Sequence, residues 1–451
     1  MDCVEKRAPM FTNKALVSLS VPIIIDAVLV IVTGMADAAM VSSAGEAAIS
    51  AVSLVDQIFL LLVTAFSALA TGGVVITSQY IGSGNLEKAK SSARQLLYGA
   101  TAMALLITLA LVGVIPQFLR LIYGDVERAV FENAKVYFFY VLLGMPFLAV
   151  ATSCTALLRT MARSKLALML ALGANVLNII GNAVLIFGFQ MGAAGAAIAT
   201  TFSRMVWAVV GMVILHRKSL PVYFEKLLAF RLEWDVMKRV LKIGSVNSLE
   251  SGLFQVGKLM VARLTASLAT VYIAAYSVSV TISNIGWTIT CSLGTVLLTV
   301  VGQCVGADQP QQAKAYTRKF MNLGHVLVVV LFGGMFLLRK QLVQLFDFAP
   351  ETLELCAYHV GVAALVAIVT FYGTAFVPMG AFRAAGDVQY AALMAVGSMF
   401  VFRVGLSYLL HRWFELGLLG IWIGMGADWI FRAVCNGIRF RSEKWLKKKL
   451  I

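Results

Sequence analysis

The sequence predicts an all-α polytopic membrane protein with twelve transmembrane helices, arranged as two six-helix lobes related by a parallel internal repeat. Three observations carry this: the composition, the succession of long apolar runs, and a pattern that returns after 224 residues. Of the 451 residues, 60% are hydrophobic and 13% charged, with a mean hydropathy of +0.87. A soluble domain carries about 25% charged residues. A hydrocarbon core of about 30 Å asks for about 20 apolar residues in a helix, and only helices give runs this long and uniform.

Read in order, the runs are 15–40, 48–80, 97–119, 132–158, 166–188 and 192–215, then 241–267, 272–303, 320–338, 355–382, 389–410 and 416–438. The expected organisation is a first lobe over 1–215, a basic cytoplasmic linker over 216–240 that is partly an amphipathic surface helix, a second lobe over 241–438, and a basic tail over 439–451. The polar, basic start of the chain has no small-residue cleavage site before the first run, so that run is expected to stay as a span. Of the 37 Lys and Arg residues, 26 fall on the side of the N-terminus, 6 on the opposite side and 5 within spans. The positive-inside rule then places both termini in the cytoplasm, here of a bacterial inner membrane. The tail "RFRSEKWLKKKL" is expected to rest on anionic headgroups rather than to bind nucleic acid. The six cysteines are scattered and mostly lie in apolar runs, as small packing residues do.

The repeat is read from "QYIGSGNLEKAKSSAR" (79–94), which returns as "QCVGADQPQQAKAYTR" (303–318). Gln79, Gly82, Ala89, Lys90 and Arg94 match Gln303, Gly306, Ala313, Lys314 and Arg318, and the same offset pairs Ile49 with Ile273, Thr71 with Thr295, and Arg159 with Arg383. Six spans per half is an even number, so both halves enter the membrane in the same direction, a geometry common among secondary transporters. No phosphate-binding loop, no zinc-protease helix and no Cys/His cluster occurs, and the four histidines are isolated. Nothing in this pattern looks enzymatic or ATP-driven, so the energy source, if work is done at all, is an ion gradient.

Acids inside the spans carry the chemistry. Asp37 follows the run "LVSLSVPIIIDAVLVIVTGM", which already holds Asp26. A charge at such depth costs about 2.5–3.5 kcal/mol on insertion scales and survives beside partners or water. The offset maps Asp26 onto Glu250, a possible second acidic site shared by the halves, but maps Asp37 onto Val261, so Asp37 belongs to the first half alone. In "LGANVLNIIGNAVLIFG", Asn178 and Asn182 lie one turn apart on one face, with Asn175 a turn earlier. Two amide oxygens opposite a carboxylate can coordinate a dehydrated cation, or bond a carboxyl whose proton is transported, and Thr200 adds a hydroxyl. The same asparagines equally serve as interhelical hydrogen bonds worth about 0.6–2 kcal/mol. Asp56 and Gln57, like Asn175, are cavity candidates, and Asp56 equally reads as an interface hydrogen bond near the outer boundary; Asp428 and Arg432, spaced i,i+4, read as a structural ion pair. Arg403 and Lys258 either line a cavity or snorkel to the interface.

Taken jointly, "GMADAAMVSSAG", "ATGGVVITSQYIGSGNLEKA", "ALLRTMARSKLALML", "LNIIGNAVLIFG", "GAAGAAIAT", "VGQCVGADQPQQAKA" and "GAFRAAGD" resemble the multidrug and toxic compound extrusion (MATE) transporters over nearly the whole chain. The resemblance implies two six-helix lobes that open alternately to either side of the membrane, exporting amphipathic and often cationic compounds by antiport against Na⁺ or H⁺. It places the coupling ion at Asp37, Asn178, Asn182 and Thr200, where Na⁺ would bind if Na⁺ is the ion. Asn182 stands where some members have Asp. The NorM-like branch has an acid on the tenth span that would fall near Tyr372, and this chain has none there. The resemblance is therefore closer to the DinF-like branch.

The function expected is secondary antiport of organic cations or amphipathic drugs by a monomer in the lipid bilayer, with no cofactor beyond H⁺ or Na⁺ and no nucleic-acid partner. Asp37 attracts the cationic substrate, and the arriving ion neutralises it. The rival readings are a lipid-linked precursor flippase of the same superfamily, for which Arg403 and Lys258 would supply a cationic cavity, and a non-transporting receptor or scaffold.

Overall fold

A computed structural model describes residues 8–124, 126–225, 232–346, 348–448 and 450–451. Among these residues there is no strand, and the chain is a succession of seventeen α-helices. They are α1 (Asn13–Ser42), α2 (Glu46–Gly82), α3 (Leu86–Val112), α4 (Ile115–Tyr123), α5 (Arg128–Leu143), α6 (Met145–Thr160), α7 (Ser164–Asn182) and α8 (Gly192–Leu215), followed by α9 (Trp234–Ala266), α10 (Thr270–Gly306), α11 (Pro310–Leu337), α12 (Arg339–Val343), α13 (Pro350–Val369), α14 (Tyr372–Ala384), α15 (Val388–Ser398), α16 (Ser407–Phe414) and α17 (Gly417–Arg441). Two π-helical stretches, Ala183–Gly188 and Met399–Leu406, extend α7 and join α15 to α16.

Ten of the described helical segments are long and apolar enough to cross a membrane, and eleven if α5 and α6 form one span bent by 46°. The seventh run is α9, whose 33 residues suffice in length but carry Lys238, Arg239, Lys242, Glu250, Lys258 and Arg263. The bend between α5 and α6 has a legible cause. Pro146 has no N–H to offer the carbonyl of Leu142, and the Thr108 hydroxyl on α3 donates to that carbonyl instead, at 3.0 Å.

The duplication is visible in backbone turns. Gly84 and Asp308, 224 apart, both take positive φ (76° and 54°) where α2 and α10 end. Ala162 and Gly386, again 224 apart, do the same at 59° and 95° after α6 and α14. A left-handed residue just past a helix end turns the chain while satisfying the last carbonyls.

The chain divides into two compact units, Val21–Ser248, and Met1–Ser20 with Leu249–Ile451. These boundaries differ from those expected at 215 and 241, because α1 and α9 run unbroken through the divisions. The residues just before α1 pack within the second unit: the Met10 amide donates to Gln312 Oε1 at 2.8 Å, and the Phe11 amide donates to the Tyr316 hydroxyl at 2.9 Å. The last seven residues of the expected linker, from Trp234 onward, fall in α9; residues 226–231, like the first seven residues with Cys3, lie outside the described residues. In the first unit the core gathers around Phe66, Phe138, Leu142 and Met145. In the second it gathers around Val360, Tyr372, Ile421 and Trp422.

The end of the chain is more committed than a headgroup anchor would be. Arg439 and Lys448 both reach the buried Asp387 at 2.7 Å, Lys314 pairs with Glu443, and the Trp445 ring is fully buried against Phe382 and Phe440. Asp387 in a turn of α14–α15 takes two positive charges from the stretch expected to lie on lipid.

Candidate functional site: a carboxylate held by two asparagines

Within the first unit, α1, α7 and α8 bring Asp37, Asn178, Asn182 and Thr200 together. Asn182 Nδ2 donates to Asp37 Oδ1 at 2.8 Å. The Asn178 amide is oriented by its neighbours: its oxygen accepts from Thr200 Oγ1 at 3.0 Å, and its nitrogen lies 2.9 and 3.3 Å from the two oxygens of Asp37. The carboxylate is thus held by donors from two consecutive turns of α7, as the i,i+4 spacing dictates. Asn178 and Asn182 are buried, and the carbonyl oxygen of Asn182 has no hydrogen-bond partner.

Two further residues complete the cluster. Tyr137 on α5 donates its hydroxyl to Asp56 Oδ1 at 3.2 Å. Arg204 on α8 stacks over the Phe59 ring at 4.6 Å and acts electrostatically on Asp37, Asp56 and Tyr137. In the sequence Arg204 is one of the five basic residues within spans. Its signal was there, since Arg204 lies four residues after Thr200 and so on the same helical face. Tyr137 had no local signal, because a tyrosine in an apolar run reads as packing. Asn175 and Gln57 make no hydrogen bond to the cluster among the described residues.

This arrangement suits an ionised Asp37, because both amides present nitrogen to it. Binding of H⁺ or Na⁺ there calls for an amide to turn: Asn182 would then offer its oxygen to a carboxyl proton or to a cation. The spare carbonyl oxygen of Asn182 and the Thr200 hydroxyl are oxygen ligands of the hard type that Na⁺ takes.

The other expected residues lie elsewhere. Asp26 pairs with Arg159, and Glu250 Oε1 accepts from Arg383 Nη2 at 2.5 Å. The two acids offered as a second site are therefore each neutralised by an arginine. Asp428 and Arg432 form the expected i,i+4 pair at 2.7 Å, and Arg403 adds a second contact to Asp428 at 2.8 Å. Arg403 and Lys258 both line an aromatic cavity in the second unit.

The MatE family profile matches residues 22–184 and 244–409. The chain belongs to the MatE family. As a member it is a membrane transporter and not an enzyme. It is 26% identical over 446 residues to a Thermotoga maritima protein named as a probable multidrug resistance protein NorM, a match covering 97% of this chain and 94% of that one. It is 28% identical over 457 residues to the uncharacterized transporter YisQ of Bacillus subtilis, covering 98% and 97%. The multidrug export protein MepA of Staphylococcus saprophyticus is 23% identical over 388 residues, covering 85% and 84%. Among solved structures, a multidrug resistance MATE family transporter of the MOP superfamily in its outward-facing conformation has a TM-score of 0.89 at 19% identity, with 96% of both chains covered. A MATE crystal structure in the straight conformation has a TM-score of 0.88 at 20% identity, again over 96% of both chains. At these identities the structures establish a shared MATE fold.

Proposed function

We propose that this protein is a secondary antiporter of a bacterial inner membrane that exports amphipathic organic compounds, organic cations among them, in exchange for H⁺ or Na⁺ by alternating access. The observation that carries the reading is the Asp37 carboxylate clasped by Asn178 and Asn182 inside the apolar bundle of the first unit. The names of the relatives, multidrug resistance and multidrug export proteins, support the export of drug-like compounds.

The exchange follows from the chemistry of one charge. Ionised Asp37 attracts a cationic substrate, and an H⁺ or Na⁺ from outside neutralises it and competes with that attraction. A ligand shifts a conformational equilibrium only by its differential affinity for the two states, so ion and substrate must favour opposite arrangements of α1. No cofactor beyond the coupling ion enters, and the protein works as a monomer with both termini cytoplasmic. The absence of an acid at Tyr372 keeps the coupling in the first half, as in the DinF-like branch.

The test is reconstitution into liposomes, with efflux of a cationic dye recorded under an imposed pH gradient and, separately, an imposed Na⁺ gradient. One gradient drives efflux in the wild type, and Asp37→Asn abolishes it while the protein remains folded. Unimpaired efflux by Asp37→Asn sinks the role of Asp37. Failure of both gradients with folded wild-type protein turns the reading to a lipid-linked precursor flippase.

A further inference from the structure

The two halves carry charge clusters of opposite net sign. The offset of 224 puts Asp428 at the position of Arg204, Val280 at that of Asp56, Val261 at that of Asp37, and Lys258 at that of Gly34. It also lays the π-helical stretch 399–406 over residues 175–182, so that the segment holding the asparagine ladder in one half holds Arg403 in the other. Where the first half gathers two carboxylates around one arginine, the second sets Arg403 and Arg432 on the single carboxylate Asp428, with Lys258 beside the same Phe254 ring as both arginines. All three cations lie within 5.6 Å of the centre of one ring, Phe254.

Lys258 has no acidic partner among the described ion pairs, and the charged side chain acting on it is Arg403, of the same sign. Glu250 does not relieve this, because it is held by Arg383. Lys258 is exposed and lines the cavity beside Arg403, which is only 6% exposed, so an anion meets one reachable cation and one buried cation whose charge acts more strongly than it would in water.

Lys258 and Arg403 line a cavity of about 190 Å³ whose walls are aromatic. Trp287 and Trp429 meet Tyr372 edge-on at 5.6 and 4.8 Å, and Tyr276 lies 6.1 Å from Trp422. Trp422, Trp429 and Arg403 are 1%, 5% and 6% exposed, yet the indole N–H of each tryptophan and Nε of Arg403 have no hydrogen-bond partner. An indole N–H and a guanidinium can only donate. Buried donors of this kind cost free energy until an acceptor arrives, and an anion's oxygens accept from several at once. The cavity is smaller than a drug-sized pocket of about 300–1,000 Å³, so it suits a ring with its acidic group, with the remainder of the molecule outside.

We propose that this cavity is a binding site for amphipathic organic anions, aromatic carboxylates in the first instance, with the carboxylate between Lys258 and Arg403 and the ring among Tyr276, Trp287 and Tyr372. The binding stands without ion coupling; that such anions are also cargo rests on the export reading above.

The test is equilibrium dialysis of radiolabelled 1-naphthoate against the full chain in lipid nanodiscs, with 1-naphthylmethylammonium as the ring-matched cation. Naphthoate binds saturably, at least tenfold more tightly than the ammonium; Lys258→Gln weakens it at least tenfold, and Lys258→Arg retains it. Asp37→Asn binds naphthoate as the wild type does, so loss of coupling and loss of this site are separate events. Equal or tighter binding of the ammonium overturns the proposal, and so does unaltered naphthoate binding by Lys258→Gln. A dye-efflux failure with intact naphthoate binding overturns the antiport reading and leaves this site standing.

Discussion

Glu250 and Arg383 form an ion pair, and the residues 224 positions before them, Asp26 and Arg159, form the same pair in the other half. Both acids sit on the first helix of their half and both arginines at the end of the span that precedes the fifth. Each acid keeps one buried oxygen without a partner, Oδ1 of Asp26 and Oε2 of Glu250. A single arginine contact therefore carries most of the compensation for each buried charge. Glu250→Gln or Arg383→Gln is expected to destabilise the protein by roughly 1–3 kcal/mol, between the values for exposed and fully buried pairs. The double variant should recover part of that loss, because no charge is left alone. Equilibrium unfolding in mixed micelles reads both; single variants as stable as the wild type would show that the pair contributes nothing.

Asn182 stands one charge short of a carboxylate beside Asp37. Asn182→Asp adds that charge within hydrogen-bond distance of Asp37 Oδ1, since the amide nitrogen it replaces is 2.8 Å away. Two facing carboxylates repel unless a cation lies between them, and affinity for a hard cation rises with the number of charged ligands. The variant is expected to gain Na⁺ affinity by about an order of magnitude, on the ground that charge count tunes such sites. Isothermal titration with Na⁺ in detergent, with Asp37→Asn/Asn182→Asp as the control, measures it. A gain that persists in the control would place the ion elsewhere.

The helices and the repeat were legible because both rest on local signals, hydrophobic length and a matching string of residues. Asp37 and the asparagines were legible for the same reason: a charge in an apolar run demands a partner, and an i,i+4 pair of amides defines a face. What could not be read was pairing across distance. Asp26 and Arg159 are 133 residues apart, and Arg403 reaches Asp428 from a different helix. The repeat placed Asp26 opposite Glu250 and Arg159 opposite Arg383, which fixes that the pairs are equivalent without fixing that they touch. The aromatic cavity was hidden because Trp287, Tyr372 and Trp429 look in sequence like packing. The compact units divide within α1 and α9 rather than at the ends of apolar runs, because tertiary contacts set that division and hydropathy does not register them.

Gly380 on α14 lies against the backbone of Gly294 on α10, and a Cβ there would fall within 2.8 Å of the Gly294 Cα. Backbone offers no side-chain torsion to relieve such a contact, so the helices themselves must part. Gly380→Ala is expected to cost roughly 1–3 kcal/mol, the range for overpacking a close-packed core. Thermal unfolding followed by a thiol-reactive dye checks this, with Gly437→Ala on α17, whose nearest neighbour would be 3.9 Å away, as the tolerated comparison. Equal midpoints for the two variants would show that α10 and α14 are not in close contact.

Asp428 answers to two arginines, and the asymmetry predicts which member is expendable. Asp428 is fully buried, accepts from Arg432 Nε at 2.7 Å and lies 2.8 Å from Arg403 Nη2. Asp428→Asn leaves two buried guanidinium groups without a counter-charge and is expected to cost about 3–5 kcal/mol, the range for breaking a buried pair. Arg403→Met is different, because Asp428 keeps Arg432, and Arg432 keeps its bond to the carbonyl of Ala395 at 2.7 Å. Removing the surplus cation while filling its volume with an apolar chain is expected to cost about 1 kcal/mol or less, as replacing buried ionic groups by apolar residues often does. Expression yield and unfolding midpoint of the two variants order them. The opposite order would make Arg403 the principal partner of Asp428. The expected order leaves a buried arginine that stability hardly needs, and such a residue is free to serve a ligand.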